Sequence, residues 1–347
     1  MQRFLTGLVK FFKVLTIVVL CLALVYIAIA ASDSQVDNKF YLVPRNTNYG
    51  ANPIWLADGR DAPVNDIYNQ INTIGNKEAA YRMYELACRK LMLCKAYGLR
   101  ASANVNVNAV NLTVDVLTNR IEAYKVVGEP TLNDNQLTES SYQNTIYVTK
   151  VSDPALSGIL QKAVQIANRG YVYGADRYIQ SGKLSAMNDG GEVVEWSDDY
   201  KREELTDLRT YNDSDLREKC NFIITRDTIL NNAEVTREYD EEAGMYFYTI
   251  KIELDCTDSD QPGSAAYYEV KAISDLLGEN MKSMVYNQLK ITMTMYENGY
   301  IINWTSIQEW TLTYQVAFLK ATGVALSEKH EVFTYDPRDC EIVNFTR

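Results

Sequence analysis

Residues 290–314 alternate between apolar and polar side chains over two runs that are separated by Asn298-Gly299. This dipeptide favours a two-residue type I′ turn, because both of its positions tolerate a positive φ, and it therefore predicts a β-hairpin. The turn sets a register in which apolar side chains share one face of the hairpin and polar ones share the other. The expected opposite pairs are Ile291 with Ser306, Met293 with Trp304, Thr294 with Asn303, and Met295 with Ile302.

The same alternation predicts strands along most of the remaining chain, whereas apolar residues that recur every three or four positions predict helices. The predicted strands cover residues 103–117, 121–127, 145–151, 193–196, 220–225, 234–239, 246–256 and 324–335, with a tyrosine-rich hairpin over 171–180. The predicted helices cover residues 76–97, 153–168 and 264–277, and the charged stretch 198–219 is expected to form one or two surface helices. Asp153-Pro154 offers a capping carboxylate and a proline at the first helical position of the second helix.

The strand over residues 103–117 contains a change of phase. Its apolar side chains lie at odd positions as far as Ala109 and at even positions from Val110 onwards. A β-bulge within one bent strand would produce this change. A tight turn near Asn108 would produce it too, and both interpretations stay open.

Groups of strands alternate with single helices, and nearly every strand has one apolar and one polar face. This pattern predicts an α+β fold with a large antiparallel sheet and helices covering one of its faces. A parallel α/β fold would instead need strands that are apolar on both faces. Residues 76–347 are predicted to form the folded domain, preceded by a polar tether over residues 32–75.

Residues 1–31 differ from the rest of the chain. Basic residues at positions 3, 10 and 13 precede an uncharged apolar run over residues 14–31. Such a segment is typical of a secretory signal peptide or of an uncleaved signal anchor in the membrane. Small residues at positions 28 and 30 favour cleavage, whereas the length of the apolar run favours retention. Either alternative places the rest of the chain outside the cytoplasm.

The chain has a formal charge of −11, and none of its 45 acidic residues lies in residues 1–31. Without the three basic residues of that segment, the exported part carries −14. A surface of this sign repels nucleic acids and anionic headgroups, so neither is expected as a partner. The exported part has five cysteines without zinc-like spacing, and buried thiols with at most two disulfides are expected.

Residues with catalytic or metal-binding chemistry are scarce. His330 is the only histidine and is expected at an exposed strand position, so histidine-based triads and metal sites are not predicted. A carboxylate-based hydrolase remains an alternative, because carboxylate pairs meet only in the fold. An EF-hand calcium loop is matched at Asp258, Asp260, Gly263 and Glu269. Pro262 offers no side-chain oxygen there, so we expect a turn and predict neither metal nor cofactor.

The apolar face of the predicted hairpin is the one surface with ligand-binding chemistry. It presents Met293, Met295, Ile302, Trp304 and Trp310. One interpretation is a core that the helices cover. The other is a concave face that is partly open, where methionine and tryptophan side chains line a groove for an apolar ligand.

The layout of the chain resembles the bacterial LolA and LppX-like lipoprotein-carrier families. The shared features are the export segment, the tether, a helix before the 103–117 strand, the tyrosine-rich hairpin, and a helix before the last long hairpin. The resemblance covers about residues 75–347. It implies a half-barrel, in which a curved antiparallel sheet carries helices over its open side and encloses a cavity for acyl chains. The chain lacks a lipobox, so the resemblance does not extend to lipid anchoring.

The expected function is that of a non-enzymatic, extracytoplasmic binding protein that carries a lipid or another apolar or amphiphilic ligand on the concave face of the sheet. The alternative is a structural or interaction module of the cell envelope with a fully packed core. Contact with the membrane is expected through residues 14–31, if they are retained.

Overall fold

A computed structural model describes residues 64–335 of the chain, with gaps. The gaps are residues 94–95, 110–111, 128–135, 166–168, 174–177, 188–192, 197–200, 205–209, 212–223, 225–227, 242–243, 260–263, 265, 268–269, 271–273, 275–277 and 317–318. The predicted export segment over residues 1–31 and most of the tether over 32–75 lie outside the described residues. Within the described part, no helix is both long enough and apolar enough to cross a membrane.

The first helical region is longer at its start than predicted. It consists of α1 (Val64–Asn69) and α2 (Ile71–Leu93), so it begins within the stretch predicted to be a tether. It also ends earlier than residue 97, because a strand already begins at Ala96. Gly75, with a φ of +83°, interrupts the helical backbone and bends α2.

The second predicted helix is confirmed as α3 (Pro154–Gln165). Asp153 caps it as expected, since its Oδ1 accepts a hydrogen bond from Ala155 N at 3.0 Å. In the predicted helix over 264–277, the described positions Tyr267, Val270 and Ser274 are helical. A short 3₁₀ helix, Gly278–Asn280, follows.

The strands form a single large antiparallel sheet. They are β1 (Ala96–Ala109), β2 (Leu112–Val127), β3 (Gln136–Val151), β4 (Arg169–Tyr173), β5 (Tyr178–Met187), β6 (Val193–Trp196), β7 (Lys201–Glu204), β8 (Thr210–Tyr211), β9 (Leu230–Asp240), β10 (Met245–Leu254), β11 (Met281–Tyr296), β12 (Ile301–Val316) and β13 (Leu319–Thr334). Their order is β6-β5-β4-β3-β2-β1-β13-β12-β11-β10-β9, with β7 beside β5 and β8 beside β3. The predicted α+β class with a large antiparallel sheet is confirmed.

The phase change in residues 103–117 is a hairpin, so the bulge interpretation is wrong and the turn interpretation is right. Ala109 ends β1 and lies opposite Leu112, which begins β2. The chain reverses between them, which moves the apolar side chains from odd to even positions. Surface helices are predicted over 198–219, and this is wrong at the described residues there, which form the short strands β7 and β8. The rest of that stretch lies outside the described residues.

The hairpin of β11 and β12 keeps the predicted register away from its turn. Its confirmed pairs are Ile291 with Ser306, Met293 with Trp304, and Thr294 with Asn303. The predicted turn type is wrong, because Gly299 has a positive φ of +89° and Asn298 does not. Gly299 N donates to Tyr296 O and Tyr296 N donates to Tyr300 O, both at 2.9 Å. This pattern is a three-residue loop with a bulge.

The bulge shifts the pairing at the end of the hairpin by one residue. Met295 lies opposite Ile301 instead of Ile302. Ile301 is therefore fully buried, whereas Ile302 is half-buried.

Helices α2 and α3 pack on the same face of the sheet, which we call the inner face. Their buried residues join those of the strands in one hydrophobic core. α2 lies against β9 and β10, and α3 lies against β3. α2 also reaches the last hairpin, where the Tyr84 and Trp304 rings meet edge to face with centroids 5.8 Å apart. Lys77 Nζ fastens α2 to β9 by donating to Leu230 O at 2.7 Å.

We predict that Gly299→Ala destabilises the protein more than Gly244→Ala. Both glycines have a positive φ, so alanine is strained at either position by about 1 kcal/mol. At Gly299 the added Cβ would also lie 3.0 Å from Leu86 Cγ and 3.3 Å from Lys90 Cγ, whereas nothing lies within 4 Å at Gly244. Urea denaturation should therefore show a loss of about 2–3 kcal/mol for Gly299→Ala. Equal losses of unfolding free energy for the two variants would show that α2 does not pack closely against the hairpin turn.

Candidate functional site

The hairpin residues predicted to bind a ligand lie in the core. Those on the inner face are Met293, Met295, Trp304 and Trp310, and none is more than 1% exposed. Ile302 does not join them, because the bulge puts Ile301 in its place. The Tyr84 ring covers Trp304, and the Tyr286 ring lies 6.0 Å from that of Trp310. The structure thus brings four of the five residues together in an apolar sector covered by protein, and ligand binding there stays a prediction.

Four charged side chains occupy the inner face beside the apolar sector. This charge cluster consists of Arg120 and Glu122 on β2 and of Lys329 and Glu331 on β13, and none of them is more than 6% exposed. By contrast, Ile121 and Val332, next to them in the sequence, face outward and are 36% and 56% exposed. At these positions the usual arrangement of apolar residues inside and charged residues outside is reversed, although Glu328 and His330 on β13 also face outward.

Short contacts join the members of the charge cluster. Arg120 Nη2 lies 3.1 Å from Glu122 Oε2 and 3.9 Å from Glu331 Oε1. Lys329 Nζ lies 2.8 Å from the same oxygen of Glu331. Tyr97 donates its hydroxyl to Glu122 Oε1 at 2.5 Å. With two positive and two negative groups, the cluster has no net formal charge.

The register explains how side chains from two strands that are not neighbours meet. Arg120 lies opposite Ala101 on β1, and Ala101 lies opposite Glu331 on β13. The backbones of β2 and β13 are thus about 10 Å apart, and the small Ala101 lets the arginine side chain cross the strand between them. Ala103 leaves a similar gap beside Lys329.

The charge cluster is not an efficient way to stabilise a core. Each buried charge loses several kcal/mol of hydration, which its partners only offset. Apolar residues of the same volume would generally be as stable or more stable. Groups that break the pattern of a core at such a cost are found mainly at functional sites.

On β12, polar side chains lie between the two tryptophans of the apolar sector. This β12 strip consists of Trp304, Ser306, Gln308 and Trp310, none of them more than 2% exposed. Gln308 Nε2 donates to Ser306 Oγ at 3.4 Å, and Ser306 lies opposite Lys329. Within the described part of the chain, no hydrogen-bond partner is present for Gln308 Oε1, Trp304 Nε1 or Trp310 Nε1. Buried polar atoms almost always have one, so the strip is short of partners.

The signal for the charge cluster is present in the sequence, although the predicted site omits it. His330 faces outward as expected, with Nε2 3.5 Å from Glu328 Oε1. The same alternation turns Lys329 and Glu331 to the inner face. The prediction omits Arg120 from any strand, because the strand predicted over residues 121–127 begins one residue later.

No group of three or more His, Cys, Asp or Glu side chains is placed to hold a metal ion in the described part of the chain. Asp258, the first residue of the calcium-loop match, is exposed in a turn and has a φ of +51°. The other matching residues, Asp260, Gly263 and Glu269, lie outside the described residues.

Cys256 follows β10 and is half-buried. Burial, with smaller effects from the carboxylates of Asp255 and Glu253, raises the pKa of its thiol to about 11. Its Sγ lies 3.7 Å from Leu254 O, which it donates to. A thiol with a raised pKa is not an activated nucleophile at neutral pH.

No family model and no curated protein matches the chain. Similar solved structures include a DUF1329 family protein from Desulfovibrio piger ATCC 29098, at 7% identity and a TM-score of 0.18, over 74% of this chain and 92% of that one. A LolA superfamily protein from Nitrosomonas europaea matches at 9% identity and a TM-score of 0.17, over 73% and 93%. The COG4313 outer membrane channel from Pseudomonas putida F1 matches at 6% identity and a TM-score of 0.20, over 70% and 96%. The family whose layout the sequence resembles is thus found among them, while TM-scores this low assign neither a shared fold nor a function.

We predict that Lys329→Met destabilises the protein by about 3–5 kcal/mol, because Glu331 then stays buried without the ammonium group at 2.8 Å. The matched control is Lys251→Met. Lys251 Nζ lies 3.2 Å from Glu234 Oε2, but both side chains are about half exposed, at 55% and 53%. The control should therefore lose at most about 1 kcal/mol in urea denaturation.

The double variant Lys329→Met/Glu331→Leu should recover much of that loss, since it removes both members of the pair. A loss for Lys329→Met as small as that of the control would contradict a buried ion pair at this position.

We also predict slow alkylation of Cys256 in the folded protein at pH 7.5, at a rate that rises until about pH 11. Peptide mapping by mass spectrometry separates this site from the other cysteines. Because the pKa of the folded state is raised above its ordinary value of 9.0, the thiol contributes stability below pH 9 that is lost as the pH approaches 11. Cys256→Ser should remove that part of the alkaline destabilisation. Alkylation as fast as in the urea-unfolded chain would refute the raised pKa.

Proposed function

We propose that this chain is a non-enzymatic, extracytoplasmic binding protein that carries an apolar or amphiphilic ligand on the inner face of a half-barrel-like sheet. The observation that carries the proposal is the division of the inner face into an apolar sector and an adjoining charge cluster. The two meet directly, because Trp304 lies opposite Glu331. An amphiphile is divided in the same way, into an apolar tail and a polar head.

The apolar sector suits a flexible tail. Met293 and Met295 have unbranched, polarisable side chains that adapt to irregular shapes. Trp304 and Trp310 add large flat surfaces with one polar atom each. Export from the cytoplasm is supported by the basic and apolar pattern of residues 1–31.

A ligand would enter this sector by moving α2. The helix covers the hairpin through Tyr84 and through Leu86, which lies against the turn at Gly299. The bend at Gly75 divides α2, so its longer part would be able to swing about a flexible position.

The second candidate is a structural or interaction module of the cell envelope. It is favoured by the complete burial of Met293, Met295 and Trp310, which leaves the apolar sector filled by protein. Such a module would bind no lipid and would be recovered with a protein partner after cross-linking.

Fluorescence quenching tests the first proposal against the second. The chain has four tryptophans, and two of them lie in the apolar sector. We expect a brominated fatty acid to quench part of the tryptophan emission, because bromine quenches only at close range. The double variant Trp304→Phe/Trp310→Phe should lose this quenching while it still binds cis-parinaric acid.

Native mass spectrometry of the purified protein should in addition show a co-purifying lipid. Quenching that persists in the double variant would place the ligand away from the apolar sector. Absence of both lipid and quenching in the unaltered protein would favour the structural module.

A further inference from the structure

The β12 strip has hydrogen-bonding capacity that the described protein does not use. Gln308 Oε1 is an acceptor, and Trp304 Nε1 and Trp310 Nε1 are donors, and each lies in a residue that is at most 2% exposed. An unmade hydrogen bond at a buried polar atom costs about 1–3 kcal/mol. Gln308 and Trp310 are two positions apart on one face of β12, about 7 Å along the strand, so one bound polar group can complete both.

The strip itself carries no charge, because its unused atoms belong to indole and amide groups. A charged head would therefore lose its hydration against neutral hydrogen-bonding groups. The charges of the cluster already contact each other, Lys329 with Glu331 at 2.8 Å and Arg120 with Glu122 at 3.1 Å. The chain as a whole carries −11, which further disfavours anions.

The strip needs a partner that both donates and accepts. A hydroxyl group does both, so it can accept from an indole N–H or donate to an amide oxygen. A head with two hydroxyl groups can reach both Gln308 Oε1 and Trp310 Nε1. Trp304 is six positions from Trp310, about 20 Å along the strand, and is out of reach of the same head. A purely apolar ligand would leave all three atoms unsatisfied.

The register places the β12 strip between apolar side chains on β11 and polar side chains on β13. On the β11 side, Ile291 lies opposite Ser306 and Leu289 lies opposite Gln308. On the β13 side, Ser327 lies opposite Gln308. A tail over β11 would thus be continuous with a head against β12 and β13.

We infer that the β12 strip recognises the neutral, hydroxylated head of an amphiphile of the monoacylglycerol or glycolipid type. The inference rests on the proposed function, to which it adds the class of headgroup. The hydroxyl groups accept from the Trp310 indole N–H and donate to Gln308 Oε1.

Three probes with the same eighteen-carbon chain test the inference by displacement of methyl cis-parinarate, a neutral fluorescent ester, from the purified protein. They are 1-monooleoylglycerol, which has two hydroxyl groups, methyl oleate, which has none, and oleate, which is anionic. We expect 1-monooleoylglycerol to bind roughly tenfold more tightly than methyl oleate and oleate, as one or two additional hydrogen bonds would give.

Variants assign that selectivity to the strip. Gln308→Leu should weaken 1-monooleoylglycerol roughly fivefold and leave methyl oleate within about twofold. Gln288→Leu, on the outer side of β11, is the matched control and should change neither. Gln308→Met is a second choice if Gln308→Leu lowers the thermal midpoint, since it keeps the side-chain length.

The possible outcomes distinguish failure of headgroup recognition from failure of the proposed carrier function. If methyl oleate or oleate binds as tightly as 1-monooleoylglycerol, or if Gln308→Leu weakens all probes equally, headgroup recognition by the strip is overturned and the carrier function stands. If no probe binds and a crystal structure shows only ordered waters at the three atoms, both are overturned.

Discussion

Side chains alternate along a strand, so each strand of a sheet covered on one face sends every second residue away from water. On β2 and β13 this constraint carries Arg120, Glu122, Lys329 and Glu331 into the interior. They are tolerable there only as a neutral set, because one unmatched charge would cost several kcal/mol. The pairing of β1 with both neighbours is what brings the set together. A shift of one residue in either pairing would turn members of the set to opposite faces.

The helices divide the rest of the inner face around this set. α2 lies on β9 and β10 and reaches the last hairpin, and α3 lies on β3. The charge cluster occupies the strands between these two regions in the sheet order. The helices therefore cover the sheet on either side of the cluster, and Trp304, which α2 covers through Tyr84, lies opposite Glu331 at the boundary.

Most of the fold follows from periodicity, because alternation and turn residues are local signals. Asp153 as a cap and the register from Ile291 to Thr294 are correct for that reason. The errors arise where one local pattern suits two backbones. A change of phase at Val110 fits either a bulge or a reversal, and Asn298-Gly299 fits a two-residue turn or a three-residue loop with a bulge.

The candidate site is harder to predict, since it depends on which strands become neighbours. Arg120 and Glu331 are more than two hundred positions apart, and only the pairing of both strands with β1 shows that they meet. Likewise, the burial of Trp304 depends on Tyr84 in a distant helix. Charged residues in an alternating strand are assigned to the solvent side by default, which conceals an inner face that carries charge.

A purely structural core offers no reason for the β12 strip. Phenylalanine in place of Trp304 or Trp310, and leucine or methionine in place of Gln308, would fill similar space without buried atoms that lack partners. The neutral charge cluster has the same property, since apolar residues could replace it without loss of stability. The β12 strip becomes favourable only when a further polar group completes it. The combination of a charge cluster, the β12 strip and an adaptable apolar sector is therefore what the proposed amphiphile would require, and packing alone does not require it.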